Sequence, residues 1–162
     1  MALSAVFQKD TLAIIMYRYA DWIITTPVLL IELLILLGID GNIWYSTELI
    51  LANIVMLLFG LYGEIFTDFS VKLWSGMLGF LPLIYIIWRV YKSITESQQD
   101  DDMKARLRYG VAIGFGVIWL LYGVVYFLES QITRSVLYTV LDLLSKGVFA
   151  GFIYGFGNIL ID

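Results

Sequence analysis

Five stretches of this chain are apolar over lengths that leave few choices of fold. They run at about 12–37, 47–66, 71–91, 107–128 and 132–160. Each reaches the ~20 mostly apolar residues that take an α-helix across a bilayer. Residues 28–39 are broken only by Glu32. Hydrophobic residues make up 60% of the chain and charged ones 15%, with a mean hydropathy of +0.86. A soluble domain holds ~45–50% apolar and ~25% charged residues. The excess is more than a core absorbs, so much of it must face lipid. The expected fold class is all-α, a transmembrane bundle of five helices forming one membrane-embedded domain over 1–162. Connectors are expected at 38–42, 67–70 and 93–104. The fourteen glycines suit close helix packing in lipid.

The chain has no Cys and no His. Disulfides, thiolate metal sites and imidazole chemistry are therefore excluded, and neither a metal site nor an enzyme is expected. A net charge of −4 argues against a nucleic-acid partner. The connector after the third span gathers Arg89, Lys92, Lys104, Arg106 and Arg108, while Lys9, Lys72 and Arg134 lie near the opposite side. The positive-inside rule puts that connector in the cytoplasm. The expected location is a multi-pass protein of the cell membrane, with its N-terminus outside and its C-terminus cytoplasmic.

Ionisable residues inside spans are rare and usually functional. Arg18, Asp21 and Glu32 fall in the first span, and Asp142 and Lys146 in the fifth. Helical geometry puts Arg18, Asp21 and Thr25 one turn apart from one another. Glu32, eleven residues beyond Asp21, returns to nearly the same azimuth about 16 Å along the axis. Asp142 and Lys146, four apart, share a face. A structural ion pair, or the lining of a channel, would explain either set alone. Together they suggest a buried amine able to condense with an aldehyde, with Asp21 and Asp142 as counterions.

Longer motifs narrow this. Arg18-Tyr19-Ala20-Asp21-Trp22-Ile23-Ile24-Thr25-Thr26-Pro27 resembles the third-helix signature of the microbial rhodopsins, and Val140-Leu141-Asp142-Leu143-Leu144-Ser145-Lys146-Gly147 resembles their retinal-lysine helix. Trp119-Leu120-Leu121-Tyr122, followed by Tyr126, is similar to their sixth-helix aromatic pocket. The run from Met56 through Gly60 to Glu64 is similar to the fourth helix of the proteorhodopsin and xanthorhodopsin branch. The five helices would then be equivalent to helices three to seven of a seven-helix rhodopsin. Residues 1–11 would be the remnant of a preceding helix and its loop.

The resemblance implies all-trans-retinal as a Schiff base on Lys146. Asp21 would be the proton acceptor, hydrogen-bonded by Thr25, and Asp142 the second counterion, bonded by Tyr122. Arg18 would orient the counterion cluster, and Glu32 would be the cytoplasmic proton donor. Trp22, Trp119, Tyr122 and Tyr126 would sandwich the polyene. Thr26, Leu29, Met56 and Gly60 complete the expected pocket, with leucine at 29 the residue that accompanies green absorption. Periodicity by itself reads Trp119, Tyr122 and Tyr126 as plain packing.

An acid at 21, a threonine at 25 and an acid at 32 resemble the triad of outward proton pumps. The expected function is a retinal-binding, light-driven outward proton pump or a truncated form of one. A sensory photoreceptor and a partner-dependent fragment are the alternatives. Expected partners are the bilayer, further copies of the chain in a homo-oligomer, and a chain supplying the first two helices. Truncation, a split form and a natural five-helix form all stay open. Two departures from the family pattern stand out. Gly123 replaces a proline usual in the sixth helix. Gly76 replaces a tryptophan, which allows either a window for a carotenoid antenna or simple close packing. No proton-release group is assigned; Glu129 is one candidate.

Overall fold

The computed structural model describes residues 2–39, 42–66, 68–96 and 102–161. Among these there are five α-helices and no strand: α1 (Ala2–Leu36), α2 (Ile43–Ile65), α3 (Phe69–Glu96), α4 (Asp102–Tyr126) and α5 (Gln131–Ile161). All five contain a segment long and apolar enough to cross a membrane, in α1 the segment Thr11–Leu36. Each helix packs on the next in sequence, and α1 closes the ring against α5.

The helix ends follow local chemistry. At the end of α1 the Ile39 N–H donates to the Leu34 carbonyl and the Gly38 N–H to that of Ile35, both at 2.9 Å. This is a Schellman closure, and it sets Gly38 at φ +67°. Ile39 packs against the cluster that holds Leu34. Asn42 caps α2, its Oδ1 accepting from the N–H groups of Trp44 and Tyr45. Asp68 accepts from the Ser70 N–H at 2.7 Å, and the Ser130 hydroxyl oxygen accepts from that of Thr133. Beyond α4, the Leu128 carbonyl receives Arg134 Nη1 at 2.6 Å and Lys72 Nζ at 3.2 Å. Two cations thus satisfy a helix C-terminus.

The start of α1 differs from expectation. Among the described residues no loop separates 2–11 from the first span; the helix is continuous from Ala2 and passes through Pro27 unbroken. Nothing between Ala2 and Thr11 is a glycine or proline, so the sequence supplies no stop. The family resemblance implied a loop here, but Gln8, Lys9 and Asp10 all tolerate a helix. The other helices start or end within five residues of the expected spans, α3 running on to Glu96 and α4 starting at Asp102.

Burial divides the bundle along its axis. Towards the C-terminal end of α1 the core is largely aliphatic, built on Leu30, Leu33, Leu34, Leu49, Ile86 and Val90. Towards the other end it is aromatic, around Tyr19, Trp22 and Tyr138. Large apolar side chains such as Ile24, Trp74 and Ile113 point outwards, as lipid as solvent requires.

Candidate functional site

A cleft lies where the two halves of the core meet. Of the expected residues, Trp22, Thr25, Thr26, Leu29, Met56, Gly60, Trp119, Tyr122, Tyr126, Asp142 and Lys146 all line it. Tyr19, Phe80, Tyr138 and Ser145 join them without having been expected.

The polar groups gather beside the aromatic half. Lys146 Nζ donates to Asp21 Oδ2 at 3.3 Å. The Thr25 hydroxyl donates mainly to the Asp21 main-chain carbonyl at 3.0 Å and reaches the carboxylate only at 3.5 Å. Asp142 is held differently. The Tyr122 hydroxyl donates to its Oδ1 at 2.6 Å, and the Trp22 indole N–H is shared between its two oxygens at 3.1 and 3.3 Å. Trp22 is fixed in turn by edge-to-face contacts with Tyr19, Tyr122 and Tyr138. One aspartate therefore pairs with the amine while the other is anchored by neutral donors.

Thr26 back-bonds to the Trp22 carbonyl at 2.7 Å and accepts from Asn53 Nδ2 at 2.7 Å. Asn53 is 0% exposed, and its Oδ1 has no hydrogen-bond partner among the described residues. No expectation from the sequence covered it, although an amide inside an apolar span is a signal in itself.

Arg18 does not go where it was expected. Among the described residues it bonds to neither aspartate. Nη1 pairs with Glu64 Oε2 at 3.5 Å, Nη2 donates to Ser135 Oγ at 2.9 Å, and the guanidinium lies 4.6 Å over the Tyr138 ring. An ion pair across α1 and α2, with an aromatic face and a hydroxyl on α5, outcompetes an exposed aspartate on the same helix. Glu32 lies half-buried on α1, away from the cleft, with no side-chain hydrogen bond or ion pair among the described residues.

The structure gives two glycines close neighbours. A Cβ at Gly76 would sit 2.5 Å from Phe127 Cζ and 2.7 Å from Tyr126 Cε1. These rings crowd the position, so Gly76 allows a close approach beside the cleft that it helps to line. At Gly123 the Phe80 ring occupies the volume a side chain would need. The pair is also less enclosed than the sequence suggested, since the side chains of Lys146 and Asp21 are 43% and 49% exposed.

A family model described as bacteriorhodopsin-like protein matches residues 1–159. Opsin-1 of Neurospora crassa is 32% identical over 142 residues, covering 82% of this chain and 46% of that protein. The green-light absorbing proteorhodopsin of Gamma-proteobacterium EBAC31A08 is 27% identical over 147 residues, covering 82% of this chain and 57% of its own length. Among solved structures, thermophilic rhodopsin matches with a TM-score of 0.73 at 26% identity, over 83% of this chain and 59% of that one. The chain spans about half the length of the curated relatives it matches. The family match over almost all of the sequence and the five-helix arrangement lead to one conclusion: the chain belongs to the bacteriorhodopsin-like family, the microbial rhodopsins.

Proposed function

We propose that this chain holds all-trans-retinal on Lys146 and moves protons outward across the membrane under light. The observation that carries the reading is the position of Lys146 Nζ. Lys146 lines the cleft and its Nζ is 3.3 Å from Asp21, while the acid that lines the cleft, Asp142, is already engaged by Tyr122 and Trp22. The residues fit the cofactor: the cleft has aromatic and aliphatic walls, and its charged groups collect around the amine. When bound, retinal would supply a light-isomerisable polyene joined covalently to Lys146 Nζ.

The chain's own groups divide the work. Among the described residues Asp21 Oδ2 faces the amine and is bonded otherwise only by the long Thr25 contact, which supports its taking the proton held at Nζ. Asp142 would forfeit donated hydrogen bonds on protonation and instead balances charge. Glu32, on the far side of the cleft along α1, is placed to return a proton from the cytoplasmic side. Trp22, Trp119, Tyr122 and Tyr126 would hold the polyene, with Thr26, Leu29, Met56 and Gly60 shaping the remaining wall. The exposed flank of Lys146 and Asp21 favours an assembly in which further helices or further copies of the chain cover this pair.

The test uses purified protein in lipid. Added retinal should give a visible absorbance band that Lys146→Ala lacks. Illuminated vesicles or cells should change external pH, and both an uncoupler and Asp21→Asn should abolish the change. A bound chromophore with a flat pH trace would exclude pumping and leave the sensory reading.

A further inference from the structure

The two ends of the bundle match their cations differently. At the end that carries the α2–α3 and α4–α5 connectors, Lys72 of α3 and Arg134 of α5 both donate to one oxygen, the Leu128 carbonyl, at 3.2 and 2.6 Å. Arg134 Nη1 also reaches the Glu129 carbonyl at 3.2 Å. Among the described residues neither cation forms an ion pair with a carboxylate. Glu64 and Glu129 act on Lys72 from farther off. The first is engaged by Arg18 and Tyr138, and the second is exposed on the connector. At the opposite end Arg89 pairs with Glu48, and Lys92 with Glu96.

Donors are also left over here. Arg134 is 8% exposed, and its Nε is buried with no hydrogen-bond partner among the described residues. Gln131 Nε2, three residues earlier on the same face of α5, is buried and unpartnered in the same way. Lys72 carries three N–H groups; Leu128 takes one, and the Tyr126 ring centre lies 5.4 Å from Nζ. Two positive charges that share one carbonyl repel each other, and a neutral oxygen offsets neither in full. A buried N–H without an acceptor costs free energy, and a charged acceptor recovers the most.

We propose that Lys72, Gln131 and Arg134 bind one small inorganic anion of the halide class at the start of α5. An anion answers both deficits at once. Water would serve the unpartnered N–H groups and leave the two cations unopposed. The helix begins at Gln131, so its dipole adds positive potential at the same place. The burial of Arg134 favours a compact ion over the phosphate of a lipid headgroup. The site is separate from Lys146 and needs no retinal.

The test uses the whole chain in maltoside micelles, which carry no phosphate. Potassium chloride replaces potassium gluconate at fixed ionic strength. The thermal unfolding midpoint should rise with chloride and saturate, and bromide should act alike. Chlorine NMR should show excess line broadening that Arg134→Gln removes. Arg134→Gln and Lys72→Gln should each weaken halide binding by about tenfold or more, the loss of one charge-assisted hydrogen bond. Lys72 is partly exposed, so Lys72→Gln keeps the test decisive should Arg134→Gln not fold. Equal midpoints in chloride and gluconate overturn the proposal, and so does a chloride response left unchanged by Lys72→Gln. Stabilisation seen only in nanodiscs containing phosphatidylglycerol, and lost in Arg134→Gln, also overturns it and assigns these donors to a lipid phosphate.

Discussion

Adding a single methyl group at Gly63 tests the helix packing without reference to light. Gly63 is buried on α2, and a Cβ built there falls well inside contact distance of the Tyr126 hydroxyl and 2.8 Å from Ser75 Cβ. Tyr126 cannot swing away freely, because its ring is 5% exposed and its hydroxyl donates to the Lys72 carbonyl at 3.1 Å. Overpacking of this kind costs ~1–3 kcal/mol, and two obstacles place Gly63→Ala near the top of that range. Alanine's better helix propensity returns about 1 kcal/mol. The net loss should be about 2 kcal/mol, roughly thirtyfold in the unfolding equilibrium. Tyr126→Phe removes the main obstacle and loses one hydrogen bond, about 1 kcal/mol. In that background Gly63→Ala should be close to neutral, giving a coupling of about 2 kcal/mol. Equilibrium unfolding of the four proteins in mixed micelles provides the cycle. Equal penalties in the two backgrounds would refute the packing described here.

Three further outcomes are expected. Gly38→Ala should cost about 1–2 kcal/mol, because Gly38 occupies the left-handed region; thermal unfolding measures it, and Gly38→Asn should recover part of the loss. Thr26→Val should cost ~1–3 kcal/mol by stripping buried Asn53 of its bonded partner, whereas Asn53→Leu should stay within about 1 kcal/mol, since Thr26 keeps its bond to Trp22. Arg18→Gln should cost about 3 kcal/mol by leaving Glu64 buried without its cation, and adding Glu64→Gln should recover most of it in the same unfolding assay.

What could be read from the sequence was what depends on one helix at a time. Span number and the shared face of Asp142 and Lys146 follow from spacing within a segment, while the aromatic wall of α4 came from the resemblance of its motif. The Trp22–Asp142 bond joins residues 120 apart, and Arg18 meets Glu64 across 46; such pairings are set by how helices rotate against one another. Arg18 was assigned to the counterion cluster by the family resemblance, which carries no distance across this bundle. Glu64 was noticed only as the last residue of a motif near the edge of a span, where an acid normally meets water. Its burial was hinted at by the glycines at 60 and 63, which let Tyr19 and Tyr126 press against α2. The start of α1 was misplaced because the family resemblance implied a loop where nothing stereochemical interrupts the backbone.

The lengthwise split of the core bears on the tempo of any proton traffic. On the Arg18 side hydroxyls, an indole and a guanidinium already stand in bonding order. On the Glu32 side Leu29, Leu30 and Leu33 are buried and offer no donor or acceptor from their side chains. A proton travelling from Glu32 must therefore wait for water to enter between hydrocarbon side chains, a step that swells the protein and is undone each time it closes. Reloading should be the stage most sensitive to hydrostatic pressure, and a pressure series on the two halves of the cycle would show whether they respond alike.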